Sequence, residues 1–127
     1  MGNRSSGNYI ISILFLAFLL RLIVVLILFD NYLPASDAAD WHEAAQNILA
    51  GNGLIYDKGF RAYRSPLPAF YFAFVYRIAG VSIIAVQLAN VLLGVLTVWL
   101  SYDLIERTFG SLSGFYAALL VSIHPLL

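Results

Sequence analysis

The chain has 127 residues, of which 61% are apolar and only 11% charged, and its seven basic and seven acidic side chains cancel. Soluble globular domains are nearer half apolar and a quarter charged, so most of this chain's solvent is lipid. The cancelled charge offers no field for nucleic acid, and the lack of cysteine excludes disulfides, thiolate metal sites and cysteine nucleophiles.

The first apolar run extends from about Tyr9 to Phe29. That is roughly the 20 residues a helix needs to cross a bilayer core of about 30 Å. It is too long for the apolar region of a cleaved signal peptide, Arg21 interrupts it, and no small-x-small cleavage site follows, so a retained membrane helix is expected. A lipid-facing charge inside such a helix costs roughly 2.5–3.5 kcal/mol. Arg21 is therefore expected to face a bundle or to reach outward.

From Asp30 to Ser65 the chain is polar. Within this loop, residues 36–51 read as a short helix. Ser36 or Asp37 supplies an N-cap oxygen, Asp40 and Glu43 lie where the helix dipole favours acids, and Gly51 stands where a C′ glycine ends a helix. Trp41, Ala44, Ala45 and Ile48 recur at i, i+3, i+4 and i+7 and form one apolar stripe. A helix of this kind, with tryptophan on its apolar face, suits a membrane–water interface. His42 falls on its polar face. Downstream, Lys58, Arg61 and Arg64 come at steps of three, directly before Pro66-Leu67-Pro68.

Apolarity returns over 66–79, which at 14 residues is short for a span and reads as a membrane helix that is tilted or completed by protein contacts. A third run covers about 81–105. After the polar break at 106–110, where Asp103 and Glu106 close the helix in solvent, a fourth begins near Leu112 and is still apolar at Leu127. The expectation is an all-α polytopic bundle of about four membrane helices plus one interfacial helix. It reads as the N-terminal part of a longer chain whose remainder is a structural partner. With the N-terminus cytoplasmic, Arg4 and Arg77 share that side while Lys58, Arg61, Arg64 and Arg107 fall opposite. This opposes the positive-inside tendency, so charge bias alone assigns no orientation. His42 and His124 are too far apart to make a metal site by spacing.

The loop brings a carboxylate and several cations to one membrane surface. Transfer from a lipid phosphate needs that combination. A carboxylate takes the proton of an attacking hydroxyl, and cations neutralise charge growing on a phosphate leaving group. A transporter or channel subunit would instead carry charges in the middle of several helices, and here only Arg21 lies well inside an apolar run. A non-catalytic assembly protein is a further alternative, which the apolar ending at Leu127 disfavours.

The runs Ser36-Asp37-Ala38-Ala39-Asp40-Trp41, Leu49-Ala50-Gly51-Asn52-Gly53 and Tyr63-Arg64-Ser65-Pro66-Leu67-Pro68 resemble the start of polytopic glycosyltransferases of the GT-C fold. Relatives of this kind include the protein O-mannosyltransferases and the aminoarabinose transferases of lipid A. The resemblance implies an integral membrane enzyme of a bacterial or archaeal plasma membrane, with the loop extracytoplasmic. Its partners would be membrane lipid, a polyprenyl-phosphate sugar donor and a hydroxyl acceptor, with no nucleic acid. It implies that Asp37, followed four positions later by the aromatic Trp41, is the catalytic base. It implies that Arg64, ahead of the proline motif, contacts the donor phosphate, with Arg61, Asp40 and Arg21 as further substrate-binding candidates. Some enzymes of this class use a divalent cation and others do not, so no metal ligand is assigned and metal use stays open. Two departures stand out. Mannosyltransferases have Asp-Glu where this chain has Asp37-Ala38, and Ser65 breaks the double proline.

Overall fold

A computed structural model of the chain describes residues 4–28, 37–56 and 64–124. Five helices and no strand occur among them: α1 Arg4–Leu28, α2 Asp37–Leu49, α3 Pro66–Ala79, α4 Ile83–Phe109 and α5 Ser111–Ile123. They divide into two compact units, one of residues 1–28 with 90–127 and one of residues 29–89.

In the first unit α1 and α5 pack together and the second half of α4 joins them around Ile13, Ala17, Val98 and Ala118, all buried. Alanines at this seam let the backbones approach closely, which is how helices gain packing energy when lipid supplies no hydrophobic drive. Tyr9 meets Phe115 edge to face at 6.5 Å, and two turns and more further on Arg21 reaches Val121 and Ser122. α1 and α5 therefore run parallel. A single residue, Gly110 with φ +89°, turns α4 back into α5. Gly114 then lies so close to Glu106 that a Cβ there would be 2.9 Å from the Glu106 Cβ. α4 is thus antiparallel to both of its neighbours.

Arg21 is half-buried in this unit, and its guanidinium lies at the C-terminal end of α5. Nη2 donates to the Val121 carbonyl at 3.1 Å, and Nη1 donates to Ser122 at 3.1 Å and to Ala17, one turn back on its own helix, at 3.3 Å. Proline at position 125 has no N–H to return to the carbonyl four residues earlier, which is that of Val121. In hydrocarbon an unsatisfied carbonyl costs several kcal/mol, and the arginine supplies the missing donor. Gly94 on α4 makes room for it, since a Cβ there would lie 2.5 Å from Arg21 Nε.

In the second unit α2 packs on α3. Ala45, Phe72, Ala73, Val75 and Tyr76 form its core with Val86 of the first turn of α4, and Trp41 and Ile48 press against it. The stripe expected to face the membrane thus faces α3. Gly51, φ +80°, ends α2 as expected: its N–H bonds to Ile48 and that of Asn52 to Asn47, the paired bonds of a Schellman motif. Pro66 occupies the first turn of α3, where its missing N–H costs nothing.

α4 continues past the expected stop near Ile105 through 106–109. Arg107 pairs with Asp103 at 2.9 Å one turn back, and the Thr108 hydroxyl donates to the Leu104 carbonyl, so the polar residues support the last turn. Two helices are long and apolar enough to cross a membrane, Tyr9–Ile27 and Ile83–Phe109, and α5 is a shorter apolar helix. Their large side chains, including Leu26, Leu92 and Leu104, point outward, as lipid-facing residues do.

Gly94→Val should lower the thermal unfolding midpoint of the detergent-solubilised full-length protein, by the equivalent of about 1–3 kcal/mol. The loss should shrink when Arg21→Ala is added, because the displaced side chain is then gone. Strictly additive losses would contradict the contact.

Candidate functional site

The second unit assembles its charged site at the start of two helices. Asp37 is the first residue of α2 and Asp40 lies in its first turn, where the partial positive charge of the helix N-terminus favours carboxylates. Arg64 stands two residues ahead of α3. Ser65, held extended (φ −53°, ψ 126°) by the proline that follows, sends the chain into the helix. The two helix starts converge, and Arg64 lies between the acids: Nη1 is 3.0 Å from Asp37 Oδ1 and Nε is 2.9 Å from Asp40 Oδ2.

All three side chains are partly exposed, with Asp37 the most open at 52% and Asp40 the least at 28%. Pairs this accessible are worth roughly 0–1 kcal/mol each, so stability is not what the cluster chiefly supplies. Two carboxylates and one guanidinium leave one net negative charge. The arrangement fixes an arginine side-on, held through its Nε edge by the less exposed acid and at a terminal nitrogen by the more exposed one.

The backbone around Arg64 is anchored as well. The Tyr56 hydroxyl donates to the Arg64 carbonyl at 3.2 Å. Tyr56 is buried with Ala44 and Ala69 between α2 and α3, and Asn47 Nδ2 donates to the Ile55 carbonyl at 2.8 Å, which ties the return strand of the loop to α2. Burial, and then the charge of Asp40, push the Tyr56 hydroxyl above its ordinary pKa, with Arg64 acting the other way.

A second polar chain runs from α2 into α3. His42 Nδ1 lies 2.6 Å from the Tyr76 hydroxyl, and its Nε2 lies 2.9 Å from Gln46 Nε2. With the amide nitrogen facing the ring, Nε2 accepts and Nδ1–H donates to Tyr76. His42, expected on the solvent side of α2, is therefore part of the α2–α3 seam, and its ring stands edge-on to Tyr76. Its four-residue spacing from Gln46 was the only signal in the sequence. Trp41 packs against Phe72, and its indole Nε1 is buried without a hydrogen-bond partner among the described residues.

Of the site residues expected from sequence, the structure thus brings together Asp37, Asp40 and Arg64. Arg21 belongs to the other unit, where it donates to the Val121 and Ser122 carbonyls of α5 and to the Ala17 carbonyl of its own helix. Arg61, Lys58 and Ser36 lie outside the described residues. No three His, Asp or Glu side chains gather as a metal-ligand set among the described residues. The two carboxylates that do meet share a guanidinium.

The two long apolar helices are those of a membrane protein. The family model described as dolichyl-phosphate-mannose-protein mannosyltransferase matches residues 63–127, just over half of the chain, and the chain belongs to that family of glycosyltransferases. The match includes Arg64 and the proline motif. It begins after Asp37 and Asp40, which are joined to it by the ion pairs. No curated protein and no solved structure matches.

Tyr56 ionisation would end its donation to Arg64. Because the folded-state value is raised, the protonated phenol stabilises the fold fully below the ordinary tyrosine range, and this contribution is lost as pH rises through the raised value. Tyr56→Phe should therefore cost about 1 kcal/mol at neutral pH, and the difference from wild type should vanish at strongly alkaline pH. Thermal unfolding across pH measures both, and a difference independent of pH would contradict the assignment.

Proposed function

We propose that this chain forms part of the donor site of an inverting glycosyltransferase, which moves a sugar from a polyprenyl-phosphate carrier to a hydroxyl acceptor on the extracytoplasmic face of the membrane. The observation that carries this reading is the bridge of Arg64 to Asp37 and Asp40, an acid and a cation held side by side at a membrane loop in a chain of this family.

Without donor, Arg64 rests on both carboxylates. A phosphate offers the guanidinium a stronger, geometrically matched partner and competes with Asp37, the more exposed of the two acids. Asp40 keeps hold of the Nε edge and orients the arginine. Asp37, released, accepts the proton of the acceptor hydroxyl as its oxygen attacks the anomeric carbon. The bond from that carbon to the phosphate oxygen breaks, and its electron pair leaves with the phosphate, where Arg64 neutralises the growing charge. Attack opposite the leaving group inverts the anomeric configuration. Arg61 stands near enough in sequence to add a second cation, and Arg21 contributes by holding α5 rather than by touching the phosphate.

Asp37→Asn in the full-length protein should reduce transfer from a polyprenyl-phosphate sugar by about 10²–10⁴-fold, the usual worth of a general base. Arg64→Ala should reduce it at least as far, and Arg64→Lys should restore only part, since lysine cannot hold Asp40 and phosphate at once. Full transfer by a well-folded Asp37→Asn protein would remove the mechanism.

A further inference from the structure

The carbonyl of Arg64 lies outside α3, and the residues two and four positions on, Pro66 and Pro68, have no N–H to give it. The Tyr56 hydroxyl takes that place, donating at 3.2 Å. The ring behind the hydroxyl is only 2% exposed. It lies in a slot between α2 and α3 walled by Ala44 and Ala69, with Ile48 and Leu54 packed against the same cluster. A tyrosine has two side-chain torsions, so a ring seated in this way has nowhere to swing. The backbone just ahead of it is held from α2. Asn47 Nδ2 donates to the Ile55 carbonyl at 2.8 Å, and the Ile55 N–H donates to the Gly53 carbonyl at 3.0 Å. α2 therefore reaches Arg64 by a route separate from the ion pairs.

That route matters most once a donor is bound. In the mechanism proposed above, phosphate displaces Asp37 from Arg64 and only Asp40 keeps its hold on the Nε edge. One grip on a long, rotatable side chain leaves the terminal nitrogens free to drift with the main chain. A second grip, on the main chain itself, defines where they stand, and small misplacements of a catalytic group are costly. Burial, and then the Asp40 charge, keep the Tyr56 phenol protonated through neutral pH, so the donor is always present.

We propose that Tyr56 is a positioning residue for the donor phosphate: it touches no substrate, and by holding the Arg64 backbone it sets where the guanidinium meets the phosphate, with Asn47 keeping Tyr56 in register. The inference rests on the reading of Arg64 as the phosphate-binding cation. It adds two residues that lie before position 63, where the family match begins.

The test measures binding of a polyprenyl monophosphate to the full-length protein by native mass spectrometry, on wild type, Tyr56→Phe, Arg64→Ala and the double variant. Tyr56→Phe keeps the ring in its slot and removes only the hydroxyl. It should weaken binding about three- to tenfold, the worth of one hydrogen bond. In the Arg64→Ala background the same change should have no effect, because a residue that acts through Arg64 has nothing left to position. A merely structural role would give equal losses in both backgrounds and would overturn the proposal. Wild-type binding by a folded Tyr56→Phe protein, with binding weakened by Arg64→Ala, would overturn the positioning role and leave the phosphate role of Arg64 intact. Undiminished binding by Arg64→Ala would remove that role and this inference together. Asn47→Leu, which keeps the bulk and removes the amide donor, gives a reading that leaves the tyrosine untouched. It should lose binding only where Arg64 is present, and a loss that persists without Arg64 would contradict the route through Ile55.

Discussion

In the second unit the packing of α2 on α3 makes two carboxylates share one guanidinium. Asp37 and Asp40 sit at the N-terminus of α2 and Arg64 just ahead of α3, so the ion pairs close only when the two helix starts are brought side by side. That convergence is imposed by the seam behind them: Trp41 on Phe72, His42 on Tyr76, and Tyr56 wedged between α2 and α3 with its hydroxyl on the backbone of Arg64. The seam supplies the stability and the charges inherit the geometry. Partly exposed ion pairs could not have folded the loop, yet once the loop is folded they fix where the Arg64 guanidinium lies.

The first unit solves a different problem with the same residue type. A charge inside an apolar helix is costly unless it satisfies something else that would be costly alone. Arg21 meets carbonyls at the end of α5, one of them, that of Val121, four residues before a proline that has no N–H to give it, and Gly94 provides the space for its stem. The two liabilities, a buried cation and open carbonyls, cancel. The parallel course of α1 and α5 follows from this contact and from Tyr9 on Phe115, and it sets the direction in which the chain threads the membrane.

Much of this was legible in the sequence because hydropathy and helix punctuation are local. The loop helix between Asp37 and Gly51, the start of α3 at Pro66 and the break at Gly110 are written in caps, prolines and glycines, and they fall within a few residues of the observed ends. The Asp37–Arg64 pair was legible through spacing and resemblance, since an acid after one helix and an arginine before a proline motif mark the two ends of a closed loop. What periodicity could not supply was direction. A short apolar run such as 66–79 looks alike whether it crosses a membrane or lies on it. For the same reason the partners of Arg21 and His42 were hidden: their contacts lie 101 and 34 residues away, and nothing in the local pattern records which face of a distant helix will meet them.

The central claim is that Arg64 is shared between Asp37 and the phosphate of a lipid carrier, so that one is bound at the expense of the other. The most direct test is the affinity of the full-length protein for a polyprenyl monophosphate, measured by native mass spectrometry on wild type and on Asp37→Asn. Removing the competing carboxylate should tighten phosphate binding severalfold. Unchanged or weaker binding by a folded Asp37→Asn protein would contradict the account.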